Sequence, residues 1–318
     1  MEQSRQPPIV GLDVSKAWLD GYLPATGKRL RVSNDPGGID RLLRSLAHPG
    51  GSLVVMEASG GYERAAHQAL VARGVPAAIV NPKRVRDFAR GMGLEAKTDR
   101  VDARLIARYG AVMRPAATPV PDPARAELRE ILACRRQLID EITVRKQQLE
   151  HLQSPSLRAR TTKVLALLRQ EERELSKLLR QQIQADAALA ADFALLTSMP
   201  GCGPILAATL LAEMPELGVL DRRKIAALAG LAPVARDSGL RENRRVIKGG
   251  RGQVRRALYM AAVASLRIRA SPLKQRYAQL VAKGKAPKLA LTALMRKMLV
   301  TLNAMLKTRQ AWKDQRET

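Results

Sequence analysis

Two short apolar runs, each ending at a carboxylate, constrain this chain most. Pro8-Ile9-Val10-Gly11-Leu12-Asp13-Val14 reads as a buried strand that reaches an acid, and Ser52-Leu53-Val54-Val55-Met56-Glu57 as a second. An acid at the end of an apolar strand is unusual, because an unpartnered buried carboxylate is costly. Residues 17–23 and 29–32 have the pattern of hairpin strands, and residues 37–47 look helical. Gly60 and Gly61 suit a turn beneath a helix running to Arg73, and Ala77-Ala78-Ile79-Val80 is a further strand, ended by Asn81-Pro82. A short helix over residues 85–90, a Gly91-Met92-Gly93 hinge and a helix reaching Met113 follow. Strands separated by helices make an α/β sheet, and in such sheets functional sites gather at the strand ends.

The stretch Lys97-Thr98-Asp99-Arg100-Val101-Asp102-Ala103-Arg104 adds two acids at the opening of that last helix. Residues three apart share a helical face. Two acids facing one way repel unless they lie near a helix N-terminus, in open water, or around a cation. A solvated face is the plain alternative. Together Asp13, Glu57, Asp99 and Asp102 could converge from two strands and a helix. Four hard oxygen donors suit two Mg²⁺ ions about 3.5–4 Å apart, the arrangement that orients both oxygens of an in-line phosphodiester displacement.

The formal charge of +26 far exceeds what solubility needs and points to a polyanion, nucleic acid ahead of an anionic membrane surface. Residues 222–318 hold 24 Lys and Arg against four acids, a net +20, so the rest of the chain is nearly balanced. With 318 residues and 46% hydrophobic content there is room for two domains and a connector. No apolar run reaches the roughly 20 residues of a membrane span, and Met1-Glu2-Gln3-Ser4 lacks the basic and apolar regions of a signal peptide. A cytoplasmic, nucleoid-associated chain is expected. Cys134 and Cys202 are far apart, and with only His48, His67 and His151 neither a zinc site nor a disulfide framework is supported. Two Phe and two Trp argue against a base-stacking platform as the dominant binding surface.

Residues 124–190 change character. Leu128, Ile131, Leu138, Ile142, Leu149 and Leu152 fall on a 3.5-residue repeat whose other two positions are Arg135 and Arg145. Ser154-Pro155-Ser156 breaks it, and Val164, Leu168, Leu175 and Leu178 form a similar seam on a second helix. The pattern fits an antiparallel hairpin folded on itself, a dimerisation or spacing arm, or both. Next, Gly201-Cys202-Gly203 between two apolar stretches resembles a helix-hairpin-helix, whose backbone amides can hold a phosphate; a plain tight turn is the alternative. Residues 226–232 suggest another helix ending near Pro233.

The loop over residues 235–245 places Ser238-Gly239 among Arg236, Arg241, Arg244 and Arg245, with Lys248, Arg251, Arg255 and Arg256 beyond it. Arginines hold phosphates in fixed, often bidentate geometry. No histidine lies nearby to act as a base for the serine, which argues against a Ser-His-Asp hydrolase. On the residues alone, Ser238 is a phosphate hydrogen-bond donor or has no role. The remaining segments, residues 255–270 and 287–305, read as helices with buried Ala, Leu and Met faces. Arg267, Arg269, Lys274, Arg276, Lys283, Lys285 and Lys288 could form a backbone-binding track.

Gly11-Leu12-Asp13-Val14-Ser15-Lys16, then Glu57 with Gly60 and Tyr62, then Lys97 through Ala103 resemble the motifs of the Asp-Glu-Asp-Asp (DEDD) insertion-sequence transposases. The segment from Ser238-Gly239 through Lys248, Gly250 and Arg255-Arg256-Ala257-Leu258 is similar to that family's C-terminal domain. The resemblance implies a RuvC-like, ribonuclease-H-type α/β domain over residues 1–118, a coiled-coil linker over 119–192, and a basic, mainly helical transposase domain over 193–318. It implies an enzyme that moves an insertion sequence, guided by a structured non-coding RNA that pairs with donor and target DNA. It further implies Asp13, Glu57, Asp99 and Asp102 as Mg²⁺ ligands, Ser238 as the nucleophile of a phosphoserine intermediate, and assembly as a dimer or tetramer. The nucleic-acid contacts expected are Gly201, Gly203 and the basic residues from Arg236 to Arg256 named above. Two other functions remain open on the residues: a metal-dependent nuclease for branched DNA needs the four acids but not Ser238, and a non-enzymatic nucleic-acid-binding protein needs neither.

Overall fold

A computed structural model describes residues 8–46, 51–94, 103–120, 122–234, 246–268 and 271–313. The chain forms two compact units, Met1–Val120 and Pro121–Thr318.

In the first unit, β1 (Ile9–Val14), β2 (Trp18–Leu23) and β3 (Lys28–Ser33) form an antiparallel meander, and β4 (Leu53–Glu57) and β5 (Ala77–Val80) extend the sheet in parallel from β1. The strand order is β3-β2-β1-β4-β5, a mixed sheet consistent with a ribonuclease-H-like domain. Val10, Leu12, Val14, Val54 and Met56 turn to one face, where they pack with Ile39 and Leu42 of α1 (Pro36–Ser45) and Leu70 of α2 (Glu63–Ala72). Val55, Ala78 and Val80 turn to the other, against Val85 of α3 (Pro82–Gly91) and Ile106 and Tyr109 of α4 (Ala103–Met113). Because both faces are covered, the central strands read as continuous apolar runs.

Helix α3 begins three residues earlier than the pattern suggests. Asn81-Pro82 both ends the strand and opens the helix: the Asn81 side chain accepts from Lys83 N at 2.8 Å, and Pro82 takes the first helical position, where its missing N–H costs nothing.

The second unit starts with α5 (Pro123–His151) and α6 (Pro155–Ala185), packed against each other as an antiparallel hairpin. Arg135 fixes the pairing by donating to Ser176 Oγ at 2.9 Å and pairing with Glu172 at 2.5 Å. On α5 the expected seam residues Leu128, Ile131 and Ile142 are buried. On α6 the buried residues are Leu165, Leu179 and Ile183; of the expected seam, Leu168 and Leu175 are half-buried, while Val164 and Leu178 are exposed and give way to the residue after each. Arg135 adds Glu172 and Ser176 to the same inner face.

The hairpin region, expected to extend to residue 190, ends at Asp186, which caps α7 (Ala187–Thr197) by accepting from Ala188 N and Leu189 N. Helices α8 (Pro204–Glu213), α9 (Arg222–Leu228), α10 (Gly252–Ser265), α11 (Pro272–Ala282) and α12 (Pro287–Thr308) complete the unit, with a short ribbon of β6 (Pro233–Val234) and β7 (Val246–Ile247). Helix α9 starts and stops four residues ahead of expectation, because Asp221 caps it and Gly230, at φ +70°, turns the chain out of it. The hairpin base shares this core: Leu128, Leu132, Leu179 and Ile183 are buried with residues of α8, α10 and α12. Arg125 and Arg129 of α5 donate to the C-terminal carbonyls of Leu211 and Ala212 in α8.

By length and composition α12 could cross a bilayer, which the sequence reading missed. Its buried side chains, among them Leu294, Met298, Leu299 and Leu302, belong instead to the core of this unit.

Candidate active site

The parallel register of β1 and β4 pairs Gly11 with Val55 and Leu12 with Met56, so one further step sets Asp13 beside Glu57. Strand side chains alternate between faces. Leu12 and Met56 enter the α1/α2 core, so Asp13 and Glu57 project with Gly11 and Val55 toward α4. Both acids are half-buried. Burial, and next the charge of Asp13, push the Glu57 carboxyl up to about 7, while Arg86 of α3 pulls the other way. Glu57 Oε1 is buried without a hydrogen-bond partner. An adjacent acid pair with one unused buried oxygen is what a hard divalent cation would relieve, so these residues fit such an ion.

Helix α4 is drawn onto this face by two glycines. A methyl in place of the Gly11 hydrogen would lie 2.0 Å from Ala103 O and 2.5 Å from Ala107 N. One on Gly110 would lie 2.7 Å from Ile9 Cγ2 and 2.8 Å from Val55 Cγ2. The first residue of α4, which follows Asp102 in the chain, therefore rests on β1 two residues from Asp13. Asp99 and Asp102 themselves lie outside the described residues, as does Ser238. Among the described residues no group of three or more His, Cys, Asp or Glu is placed to hold a metal.

Two side chains that the sequence did not single out shape the loops after the acid-bearing strands. Asn34 Nδ2 donates to both Ser15 O at 2.9 Å and Tyr62 O at 3.1 Å, joining the β1–β2 turn to the β4–α2 loop. Glu63 Oε2 accepts from Ser59 N, Ser59 Oγ and Gly61 N. Burial alone would raise the Glu63 carboxyl, but these bonds outweigh it and hold it below the usual range. Glu63 could have been found as an acid in the first turn of a helix after a glycine pair. Asn34 carries no local signal.

The described residues that flank the Ser238 segment are closely held. Strands β6 and β7 pair Pro233 with Ile247 and Val234 with Val246. Behind them Gly230 and Gly250, both at φ +70°, come so close that a methyl on Gly250 would lie 2.1 Å from Gly230 N. Arg255 Nη1 donates to Gly249 O at 2.6 Å, and Arg251 forms a bidentate pair with Glu216 at 2.5 and 2.7 Å. Both arginines thus serve the local fold around Gly249. Lys248 and Arg256 are exposed, and Arg236, Arg241, Arg244 and Arg245 lie outside the described residues. Of the hairpin glycines, Gly201 packs inward, within 3.2 Å of Leu273 Cδ1 were it to carry a Cβ, while Gly203 opens onto solvent at the N-terminus of α8. Gly203, Arg136 and Arg256 meet on a groove of about 630 Å³ between α5, α8 and α10.

A ribonuclease-H-like sheet with adjacent acids at the ends of its central strands, ahead of a basic helical unit, fits an enzyme that acts on nucleic-acid strands. Comparison with known proteins narrows this to a DNA transposase or recombinase. Residues 10–154 match the DEDD transposase domain of IS110 type, and residues 193–278 match the transposase domain of the IS116/IS110/IS902 family. The chain belongs to this IS110/IS116 family of transposases. It is 29% identical over 312 residues to the pilin gene-inverting proteins of Moraxella bovis and Moraxella lacunata, covering 94% of this chain and 95% of each relative. It is 31% identical over 145 residues to a 44.8 kDa protein of insertion element IS116 from Streptomyces clavuligerus, covering 45% of this chain and 34% of that protein. The DEDD domain implies dependence on a divalent metal.

Proposed function

We propose that this chain relocates or inverts a DNA segment by cutting and rejoining strands through a covalent phosphoserine, guided by a structured RNA encoded by its element. The observation that carries the reading is the adjacent pair Asp13 and Glu57, with a buried, unpartnered Glu57 oxygen. The similarity to gene-inverting proteins along nearly the whole chain supports rejoining rather than simple cleavage. Asp13 and Glu57, with Asp99 and Asp102, would hold two Mg²⁺ ions, which when bound neutralise charge on the reacting phosphate.

In this reading Ser238 Oγ displaces a deoxyribose oxygen from phosphorus. The bond energy is kept in the serine–phosphate link until a deoxyribose hydroxyl of the partner strand reverses the step. Exposed Lys248 and Arg256, with Arg236, Arg241, Arg244 and Arg245, hold phosphates around it. Arg251 and Arg255 keep the ends of the loop in place. Gly203 offers a backbone amide toward a further phosphate. The RNA rests on the family resemblance and on the +20 charge of the last third, which can neutralise the phosphates of two nucleic acids. The α5–α6 hairpin acts as the arm that assembles a dimer or tetramer around two duplexes.

The decisive experiment is a denaturing gel for protein-linked DNA, using a substrate nicked so that rejoining cannot occur, with Mg²⁺ and the guide RNA. A covalent adduct is expected, lost in Ser238→Ala and Asp13→Ala while DNA and RNA binding persists. Strand cleavage without a serine-dependent adduct overturns the mechanism in favour of a nuclease that uses only the acids. Absence of both leaves a nucleic-acid-binding protein.

A further inference from the structure

Of the nine aromatic residues in this chain, all within the described residues, three are well exposed: Trp18 at 48%, Tyr62 at 48% and Tyr259 at 40%. Two of these three sit at the loop ends of the acid-bearing strands. Asp13 pairs with Asp20 across β1 and β2, so Trp18, two residues from Asp20, lies on the same face of the sheet as Asp13 and one row nearer the loops. Tyr62 closes the loop that follows Glu57.

Both are held in place by more than packing. Ser15 N and Ser15 Oγ donate to Trp18 O at 2.9 and 3.0 Å, and Trp18 N donates back to Ser15 Oγ at 3.0 Å. The Arg31 guanidinium lies 5.9 Å from the centroid of the indole and is itself fixed by a bidentate pair with Asp20 at 2.6 and 3.0 Å. Asn34 ties Ser15 O and Tyr62 O to a single amide nitrogen. Two rings with fastened backbones, half in solvent, are an unusual use of aromatics in a chain so poor in them.

We propose that Trp18 and Tyr62 form a stacking site for an unpaired nucleobase next to the acid pair. The inference rests on the reading that Asp13 and Glu57 act on a nucleic-acid strand. Adjacent carboxylates repel a phosphodiester in the absence of a cation, which makes the bases the better handle at this spot, even with Arg31 and Arg86 near. Stacking does this without reading sequence, because every base has a π-face. It also discriminates, since bases within an intact duplex are not free to stack on a side chain. The site therefore holds a strand opened beside the phosphate to be cut.

With Trp312→Phe in the full-length protein, Trp18 becomes the sole tryptophan, and its emission reports on the site. In EDTA, so that neither cation nor cleavage intervenes, short oligothymidylate and oligouridylate are each compared with a DNA duplex of equal length, total binding being followed by anisotropy of a labelled strand. Single strands are expected to quench Trp18, whereas the duplex binds without quenching. The stronger of the DNA and RNA responses identifies which strand occupies the site. Tyr62→Ala should weaken single-strand binding roughly tenfold, and Tyr62→Phe should restore it. Equal quenching by the duplex, or single-strand binding with unchanged Trp18 emission, overturns the proposal. Failure of the acid-pair reading is seen separately: Asp13→Asn would then cut and join DNA like the parent, whatever Trp18 reports.

Discussion

Glu57 holds its proton to about pH 7, where an ordinary glutamate has lost it near 4.5. Between those two values the unfolded chain has released a proton that the folded chain keeps, so this group makes stability fall as pH rises through the window. Above it, Asp13 and Glu57 face each other as two charges. Glu57→Gln is therefore expected to stabilise the metal-free protein above about pH 7, the gain disappearing toward pH 4.5; urea denaturation in EDTA across that range checks it. Mg²⁺ should raise the melting temperature of the parent and hardly that of the variant. In the proposed mechanism, where Glu57 holds the metal, strand exchange should fall on the order of a hundredfold or more. At this scale the acids were legible because an apolar run ending in a carboxylate is visible locally. Asn34 was not, because its partners Ser15 and Tyr62 stand 19 and 28 residues away and only the folded sheet brings them together.

Helix α4 and the α5–α6 hairpin depend on a few close contacts that set where each element lies. Gly110→Ala would place a methyl 2.7 Å from Ile9 Cγ2 and lift α4 from the sheet. Overpacking of this kind costs about 1–3 kcal/mol, and denaturation should read that loss. Activity should fall further than stability does, because α4 starts immediately after Asp102 and its first turn rests on β1 beside Asp13. In the hairpin, Arg135 and Glu172 are largely withdrawn from solvent, at 18% and 22% side-chain exposure. Arg135→Ala leaves Glu172 without its cation and should cost about 1–3 kcal/mol, whereas Arg135→Leu combined with Glu172→Leu should leave stability near that of the parent. On α5 the heptad pattern placed Leu128, Ile131, Ile142 and Arg135 correctly, whereas Arg145, its other seam arginine, is exposed and bonds to Gln148 of the same helix. On α6 the pattern held at Leu168 and Leu175 but missed at both ends, because Val164 and Leu178 carry an apolar signal on the outer face while Glu172, on the inner face, answers to Arg135 of the other helix. A repeat reports spacing, and the partner decides its phase.

Across the whole molecule the charge is uneven: a net +20 of the +26 falls in residues 222–318. That much was plain from composition, and so was the polyanion it attracts. Which arginines meet phosphate was not, because a sequence does not distinguish a cation used for folding from one left for a ligand. Arg251 is engaged by Glu216 and Arg255 by the Gly249 carbonyl, while Lys248 and Arg256 stand exposed beside them. A duplex bound through roughly 6–10 phosphates loses about 10³–10⁵ in affinity between 50 and 200 mM salt, the slope of log affinity against log salt counting the phosphates neutralised. Lys248→Ala and Arg256→Ala are each expected to lower that slope by about one while leaving the melting temperature unchanged. Arg251→Ala should do the reverse. Its charge is already neutralised by Glu216, so the slope stays, but the protein loses about 1–2 kcal/mol as that carboxylate loses its bidentate partner. Salt titrations of duplex binding beside denaturation curves for the three variants separate the two kinds of basic residue. A lower slope for Arg251→Ala with unchanged stability would mean that the ion pair opens to let Arg251 reach the DNA.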